Sequence, residues 1–481
     1  MTPRPILSVW SGVRAASRWS WFVVGAIVAH AGWMSYLQID LHNGLGTFAY
    51  DVGLYDQGLW LLSEGRAPFV TLMGRNLFGD HASLILLLFV PLYWLVPGTP
   101  TLLVVQAIVV AAGAFPLYLL SRRILGNSAL AAGMAMTWLL NPAVNGTNME
   151  NFHPDSLYAL FVPLGIWAAW ERRWRAYAVA IFLCLLVKED AALIIVPLGA
   201  WVAWAVDRRK GIATSVLSVA ATLLGMFVLM RSLIGVPTRN AWRIPFGGPG
   251  GLLREMLTRP GNVLRYLTED GRPRYLWQMA APFAGAFLAS PYLASISVLV
   301  VASNVLSTFY YQHDIQYHYS LVAVPALVVA TAHAIGRLRH SLRGVAVAVV
   351  LGCSAVAFVA WGQHPLAANP RQVLPGGASV AVAGREIIKD LPPDAVLSVY
   401  DPLTTHLAHR QEIYFFPNPF RAVYYGVDSS LAGERLPAAD RVDFVVLPRV
   451  MSADLMAEWV AMRSAWKEVR SNEYWQVFAP L

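Results

Sequence analysis

The chain has 481 residues, 57% of them hydrophobic and 13% charged, with a mean hydropathy of +0.51. That balance excludes an ordinary soluble globular protein and fits a polytopic membrane protein, since many apolar runs approach the ~20 residues a helix needs to cross ~30 Å of hydrocarbon. The net charge of +8 does not point to nucleic acid, because the arginines sit in short clusters between apolar runs, the pattern that orients membrane helices.

In chain order, Arg4, Arg14 and Arg18 precede "WSWFVVGAIVAHAGWMSYL". This resembles a signal sequence in outline, but the run is long and no small-x-small cleavage site follows, so it predicts an uncleaved first span. Spans are predicted near 19–37, 100–120, 128–142, 156–170, 176–188, 191–206, 212–232, 276–290, 291–307, 319–336 and 344–361, about eleven in all. With a cytoplasmic N-terminus, Arg122 and Arg123, "ERRWR" (171–175), "DRRK" (207–210) and "RLRHSLR" (337–343) all fall on the cytoplasmic side. Counting "HASLILLLFVPLYWLVPG" (81–98) as a crossing would invert every one of these clusters. It is therefore read as a helix in or on the outer leaflet, with a full crossing as the alternative. The two cysteines, Cys184 and Cys353, lie inside apolar runs, which argues against a disulfide framework.

In this register the polar motifs embedded in apolar sequence all emerge on the outer face. They are "YDVGLYDQGLW" (50–60), "GRNLFGDH" (74–81), "NGTNMENFHPD" (145–155), "KED" (188–190) and "YYQHDIQYHY" (310–319). Ionisable groups at membrane level are a functional-site hypothesis by default, and here they are expected to gather in one cavity. The 233–275 loop lies on the same side, and "GGPGGLLREMLTRPGNVLRYL" looks partly amphipathic. After residue 361 the character changes. "AVLSVY", "EIYFF", "RVDFVVLP" and "YWQVFAP" read as strands, and "SADLMAEWVAMRSAWKEV" as an amphipathic helix with Ser452 as N-cap. The expected division is a membrane domain, 1–361, and an extracytoplasmic α/β domain, 362–481.

Asp51 and Asp56 stand five apart, ~140° around an ideal helix, so they need not pair. One of them is a candidate general base, and Asp56, framed by Tyr55 and Trp60, is preferred. The alternative for either is a helix cap or a buried hydrogen-bond acceptor. Asp80 and His81 stand where a loop enters the apolar 81–98 segment, as an N-cap for that helix or as substrate-binding groups, with His81 donating to a phosphate or orienting an acceptor. Arg75 suits a phosphate because a guanidinium binds two oxygens with fixed geometry. Glu150, His153 and Asp155 could together hold a divalent cation, although the spacing matches no specific metal motif. His153 precedes Pro154, so it is expected to be extended. Lys188, Glu189 and Asp190 form either a solvated hairpin or a site whose lysine neutralises an anionic leaving group. Arg243, His313 and His318 complete the candidates; the aromatics around the two histidines suit a carbohydrate platform or an interfacial belt. There is no Walker-type loop, G-x-G-x-x-G turn, C-x-x-C or G-x-S-x-G, which leaves soluble nucleotide chemistry unsupported.

The succession "DVGLYDQGLW", "GDHASLILLLFVPLYWLVPG", "LLVVQAIVVAAGAFPLYLLSRRILG", "NFHPD" and "LLVKEDAAL" resembles a family of prokaryotic membrane proteins catalogued as domain of unknown function 2079, over about residues 40–335. That family is grouped with the GT-C glycosyltransferases, and the layout is similar to their protein-mannosyltransferase and aminoarabinose-transferase branch. The resemblance implies a catalytic acid in the first outer loop (Asp51 or Asp56), a juxtamembrane helix at 81–98, an acidic residue opening the fourth span (Asp155) and a lysine leaving the fifth (Lys188). The branch's usual Asp-Glu pair is absent, because Gln57 follows Asp56, and Glu189 replaces a glycine after the lysine.

The expected activity is inverting transfer of a sugar from a polyprenyl-phosphate donor to a hydroxyl of a glycan, lipid or protein. It would take place at the extracytoplasmic face of a prokaryotic plasma membrane, with membrane lipids as surroundings and no nucleic-acid partner. A divalent cation is an open cofactor. The rivals are a flippase for a lipid-linked sugar, which would spread its polar groups through the membrane depth, and a non-catalytic receptor whose outer domain binds a partner.

Overall fold

A computed structural model describes residues 17–235, 241–427 and 431–481. Among them, five helices are long and apolar enough to cross a membrane: Arg18–Asn43, Thr99–Leu125, Arg208–Ile234, His318–Gly336 and His340–Trp361. Shorter apolar helices, among them Ser128–Leu139, Trp174–Val187, Ala192–Ala205 and Pro291–Leu306, fill the bundle between them. The helices meet closely where side chains are smallest. A Cβ on Gly113 would stand 2.1 Å from the carbonyl oxygen of Ala159, so the helix Thr99–Leu125 crosses Tyr158–Trp170 almost backbone to backbone.

Two stretches depart from the expected spans. The run 276–290 is not one helix: Arg272–Ala280 gives way to a 3₁₀ turn at Ala281–Phe283, then Ala284 and Gly285 take positive φ (50° and 66°) before a second 3₁₀ turn, Ala286–Ala289. Pro282 lacks an N–H and left-handed residues cannot carry a right-handed helix onward, so hydropathy alone overstated this segment. The segment 81–98 holds a short helix, Leu84–Tyr93. At ~1.5–2 Å per residue it is too short to cross ~30 Å as a straight helix. It buries Ile85, Leu86, Phe89 and Tyr93 and exposes Leu87 and Leu88.

The basic clusters collect at one end of the bundle. Arg123 lies 3.6 Å from Glu171, Arg172 donates to the Val206 carbonyl at 3.3 Å, and Arg343 donates to the Leu125 carbonyl at 3.3 Å. The other end carries the acidic and aromatic motifs and residues 362–481. Flanking that end, the helices Pro249–Thr258 and Pro260–Leu267 expose Leu253, Met256, Leu257 and Leu264.

The strands are β1 Phe69–Val70, β2 Arg75–Asn76, β3 Leu397–Val399, β4 Ile413–Phe415, β5 Phe444–Pro448, β6 Trp466–Ser471 and β7 Trp475–Pro480. The first two form a small hairpin. The others make a five-stranded sheet in the order β4-β3-β5-β7-β6, with β3 parallel to β4 and β5, and β7 antiparallel to β5 and β6. The helix expected over 452–469 ends at Met462, with Ser452 as its N-cap, and 466–471 is strand β6 instead. Trp466 seats against Phe420 and Trp459, while Lys467, Glu468 and Arg470 stay exposed on what is then a charged edge strand. Tertiary packing overrides the helical pattern here.

The sheet has two faces with different fates. Phe416, Val445, Leu447, Trp459, Trp466 and Phe478 form a small core of their own. Leu397, Val399, Ile413, Val446, Trp475 and Val477 instead join the same apolar cluster as Val52, Leu72 and Leu103 of the helical part. Hydrogen bonds follow the apolar contact: Thr71 Oγ1 accepts from Ile413 N–H (3.0 Å) and donates to its carbonyl (2.9 Å), and Gly376 N–H donates to Asp40 (3.0 Å).

Replacing Gly113 by Val forces a backbone clash at the helix crossing. Stability should fall by about 1–3 kcal/mol or more, read as a lower apparent unfolding midpoint in detergent; an unchanged midpoint would show the crossing to be looser.

Candidate active site

Two cavities open at the end of the bundle opposite the basic clusters. The first, about 450 Å³, has an apolar wall that includes Leu193, Met226, Leu252, Leu253, Met256 and Leu306, and a polar end made by His81, Lys188, Glu189, Asp190 and Arg243. The second, about 550 Å³, is lined by Asp51, Glu150, Asn151, His153, His318, Gln316, Gln363 and Arg371 together with Phe48, Phe309, Tyr311 and Tyr317. Tyr319 lines both. A small cleft of about 30 Å³ beside Tyr319, with Asp155 and Asp190 in its wall, lies next to the first.

The polar cavity is built by three loops. A π-helical turn, Ala49–Gly53, presents Asp51, whose side chain keeps 39% of its surface exposed. Asn151 Nδ2 donates to Asp51 Oδ2 at 3.1 Å, and His153 Nε2 lies 3.5 Å from Oδ1. His153 is extended (φ −135°, ψ 136°), as its place before Pro154 demands. Its N–H donates to Gln106 (3.1 Å) and its Nδ1 to the Asn151 carbonyl (3.0 Å), which turns Nε2 toward Asp51. Burial disfavours the charged imidazole, yet the Glu150 and Asp51 carboxylates outweigh it and raise the His153 pKa to about 9. Burial likewise opposes ionisation of Asp51, and His153 and Asn151 hold its carboxyl below the usual range regardless. The third loop approaches because of Gly146: a Cβ there would stand 2.9 Å from the backbone of Ile315 and Gln316. That contact lets His318 lie on His153, with ring centres 3.8 Å apart, and donate its N–H to Glu150 at 2.8 Å.

Glu150, His153 and His318 each offer a ligand atom, all within 4.8 Å of one another. A carboxylate with two imidazoles suits a divalent transition ion. The rings, however, are stacked with planes only 19° apart. Imidazoles sharing an ion at ~2 Å per bond splay apart, so an ion would have to open this stack.

At the apolar cavity, Lys188 ends the helix Trp174–Val187 in an extended conformation and reaches Asp155 at 3.3 and 3.4 Å, both side chains buried. Lys188 and Glu189 are therefore no solvated hairpin. Glu189 accepts from His81 Nδ1 (2.8 Å) and Ala82 N–H (3.0 Å). Burial raises the Asp190 pKa to about 6 against the pull of Lys188. Arg243 lays its guanidinium 4.1 Å from the centre of the Phe309 ring and points toward the Tyr319 hydroxyl at 3.5 Å.

The remaining candidates lie elsewhere, and the preferred base is among them. Asp56 lines neither cavity, and its side chain is 2% exposed. It accepts from Tyr93 OH (2.7 Å), Thr99 Oγ1 (2.8 Å) and His409 Nε2 (2.9 Å), which makes it the buried acceptor weighed as its alternative role. Gln57 likewise serves the junction, donating to Thr71 (2.8 Å) and to the Arg410 carbonyl (3.2 Å). Arg75 is buried between Tyr50 and Asp80 (3.5 Å) and lines neither cavity. Asp80 ends a short helix, Leu77–Asp80, rather than capping the next one. His313 is buried beside Tyr310, also away from both cavities.

Sequence reading missed Asn151, Tyr319, Gln363 and Arg371. Asn151 and Tyr319 lay inside motifs already singled out; Arg371 sits in a proline-rich connection that carries no signal of its own.

Comparison with known proteins adds two findings. A family model described as "Predicted membrane protein (DUF2079)" matches residues 41–477. Among solved structures, the crystal structure of ArnT from Cupriavidus metallidurans in the apo state matches with a TM-score of 0.57 at 14% identity, covering 95% of this chain and 98% of that one. At that identity the likeness shows the fold: a helical, ArnT-like bundle with a small C-terminal sheet. No curated protein matches the chain.

Two outcomes test these assignments. Burial lowers the His409 pKa and the Asp56 carboxylate outweighs it, so the protonated ring is favoured. Such a group contributes stability in full below its unfolded pKa of ~6.5 and loses it as pH rises through the raised folded value. The unfolding midpoint should therefore decline above about pH 6.5, and His409→Gln should flatten that decline; an equal slope in the variant would remove the ion pair from the junction. Separately, Lys188→Met strands the buried Asp155 carboxylate and should cost about 3–5 kcal/mol, most of it recovered when Asp155→Leu is added; additive losses in thermal midpoints would contradict the pairing.

Proposed function

The chain belongs to the DUF2079 family of predicted membrane proteins, and from that premise we propose that it is a GT-C-type glycosyltransferase. In this reading it uses a polyprenyl-phosphate-linked sugar and acts at the extracytoplasmic face of a prokaryotic plasma membrane. The observation that carries the reading is the pair of cavities meeting at Tyr319: one with an apolar wall and a charged end where Lys188 and Arg243 stand beside Glu189 and Asp190, the other polar, with Asp51 and Glu150 in its lining. A lipid phosphate has one apolar and one anionic part, and the first cavity offers a surface for each. Its apolar wall accepts isoprenoid, while Lys188 and Arg243 face the phosphate. The ArnT-like fold and the family resemblance support the same class.

Asp51 serves as the general base. The acceptor enters the polar cavity with a hydroxyl toward Asp51, which takes its proton as the hydroxyl oxygen attacks the anomeric carbon. The new C–O bond forms on the face opposite the phosphate, and the bond from the anomeric carbon to the phosphate oxygen breaks. Its electron pair leaves with the lipid phosphate, and the configuration inverts. Lys188 and Arg243 stabilise the charge that grows on the leaving oxygen. In a site shielded from water such support is worth several kcal/mol. His153 holds Asp51 in place, and the aromatic wall offers faces for sugar rings. The collection of basic clusters at the opposite end supports a cytoplasmic location for that end.

The test uses purified protein in lipid nanodiscs with radiolabelled polyprenyl-phosphate sugars and a cell-envelope extract as acceptor source. Transfer with release of lipid phosphate is expected, and Asp51→Asn should lower it at least ~100-fold while the protein still expresses and folds. Movement of the lipid without bond cleavage would replace the enzyme by a flippase, and full activity in Asp51→Asn would remove the assigned base.

A further inference from the structure

The C-terminal sheet grips the loop that bears Asp51, and several of the contacts come from one short stretch of chain. The helix Asp401–Thr404 begins two residues after β3, at the carboxyl end of that strand, and three residues from 401 to 406 reach across to residues 42–53. Asp401 Oδ1 accepts the Ala49 N–H at 2.7 Å. Thr405 Oγ1 meets Thr47 Oγ1 at 2.8 Å, and Thr47 Oγ1 in turn meets His42 Nδ1 at 2.8 Å. His406 stacks on His42, with ring centres 4.0 Å apart. The Thr405 methyl group also closes over Gly53, where an added Cβ would meet it at 3.3 Å.

The first of these contacts has a specific physical job. Ala49 opens the π-helical turn Ala49–Gly53, and its N–H is one of the donors that a helix start leaves without an intrahelical acceptor. An N-cap side chain normally supplies one, but here the cap position is Phe48, which makes no such bond. Asp401 supplies the acceptor from the other end of the chain. Two residues on, Asp51 is held from the opposite direction by Asn151 and His153. The turn is thus pinned at its start by the sheet and at its functional side chain by the loop 150–153.

Resting on the reading that Asp51 is the base, we propose that Asp401 is a positioning residue, which caps the turn Ala49–Gly53 and so fixes the Asp51 carboxylate at the polar cavity. Asp401 lines neither cavity and does not touch the reacting groups. It follows that the C-terminal sheet is part of the catalytic framework. Asparagine keeps a side-chain oxygen where Asp401 has one, whereas alanine removes it.

The experiment compares wild type, Asp401→Ala and Asp401→Asn in nanodiscs by hydrogen–deuterium exchange and by transfer kinetics. In Asp401→Ala, peptides covering 48–54 should exchange at least about tenfold faster, and kcat should fall about 10- to 100-fold with the donor KM unchanged. Asp401→Asn should restore both. If Asp401→Ala does not fold, Asp401→Glu, which pushes the carboxylate one methylene too far, is read in the same way. Unchanged exchange over 48–54 overturns the cap, and faster exchange with normal kcat overturns the positioning role. A wild-type protein without transfer activity would sink the proposed function by itself, while the exchange result would still decide whether Asp401 caps the turn.

Discussion

A charge can stay in an apolar helical bundle only if another group answers it, and the buried pair of Lys188 and Asp155 sets the layout of this molecule's functional end. Each residue ends or begins a helix at the same level, so the pair ties Trp174–Val187 to the turn that opens Tyr158–Trp170. Around it the other ionisable side chains fall into a chain of contacts. His81 answers Glu189 on one side; on the other, His318 and His153 lead through Glu150 to Asp51. Tyr319 stands where the two halves meet, with the Lys188 ammonium 5.7 Å from its ring centre. Two cavities of different character therefore share one wall, and the proposed transfer between a lipid-borne and a polar substrate would take place across it.

The second organising feature is the junction between the first loop and the sheet. Asp56 and Gln57 are spent on it, and Asp401, Thr405 and His409 answer from the other side. The motif "YDVGLYDQGLW" thus divides its labour. Its first aspartate faces the cavity, and its second, one and a half turns later, faces inward to hold the C-terminal sheet. An angular separation of ~140° on an ideal helix already meant that the two carboxylates need not pair.

Much of this was legible from residue types and spacing. Apolar runs located most helices, the basic clusters predicted a common end, where Arg123 meets Glu171, Arg172 meets Val206 and Arg343 meets Leu125, and Pro154 fixed the backbone of His153. What sequence could not show has a common physical cause: contacts between residues hundreds of positions apart. Asp56 looked like a base because its partner His409 lies 353 residues away. Arg75 looked like a phosphate ligand until its burial against Tyr50 and Asp80 was seen. The break at Ala284 and Gly285 and the conversion of 466–471 into β6 are also decided by neighbours rather than by local composition.

A density map of the protein with a polyprenyl phosphate bound would decide whether the lipid phosphate sits where the proposed chemistry needs it. The lipid phosphate should lie within hydrogen-bonding or ion-pair reach of Lys188 and Arg243, its chain along Leu252, Leu253 and Met256, and its free phosphate oxygens toward Tyr319 and the polar cavity. A phosphate seated at the other end of the bundle, among Arg123, Arg172 and Arg343, would contradict it.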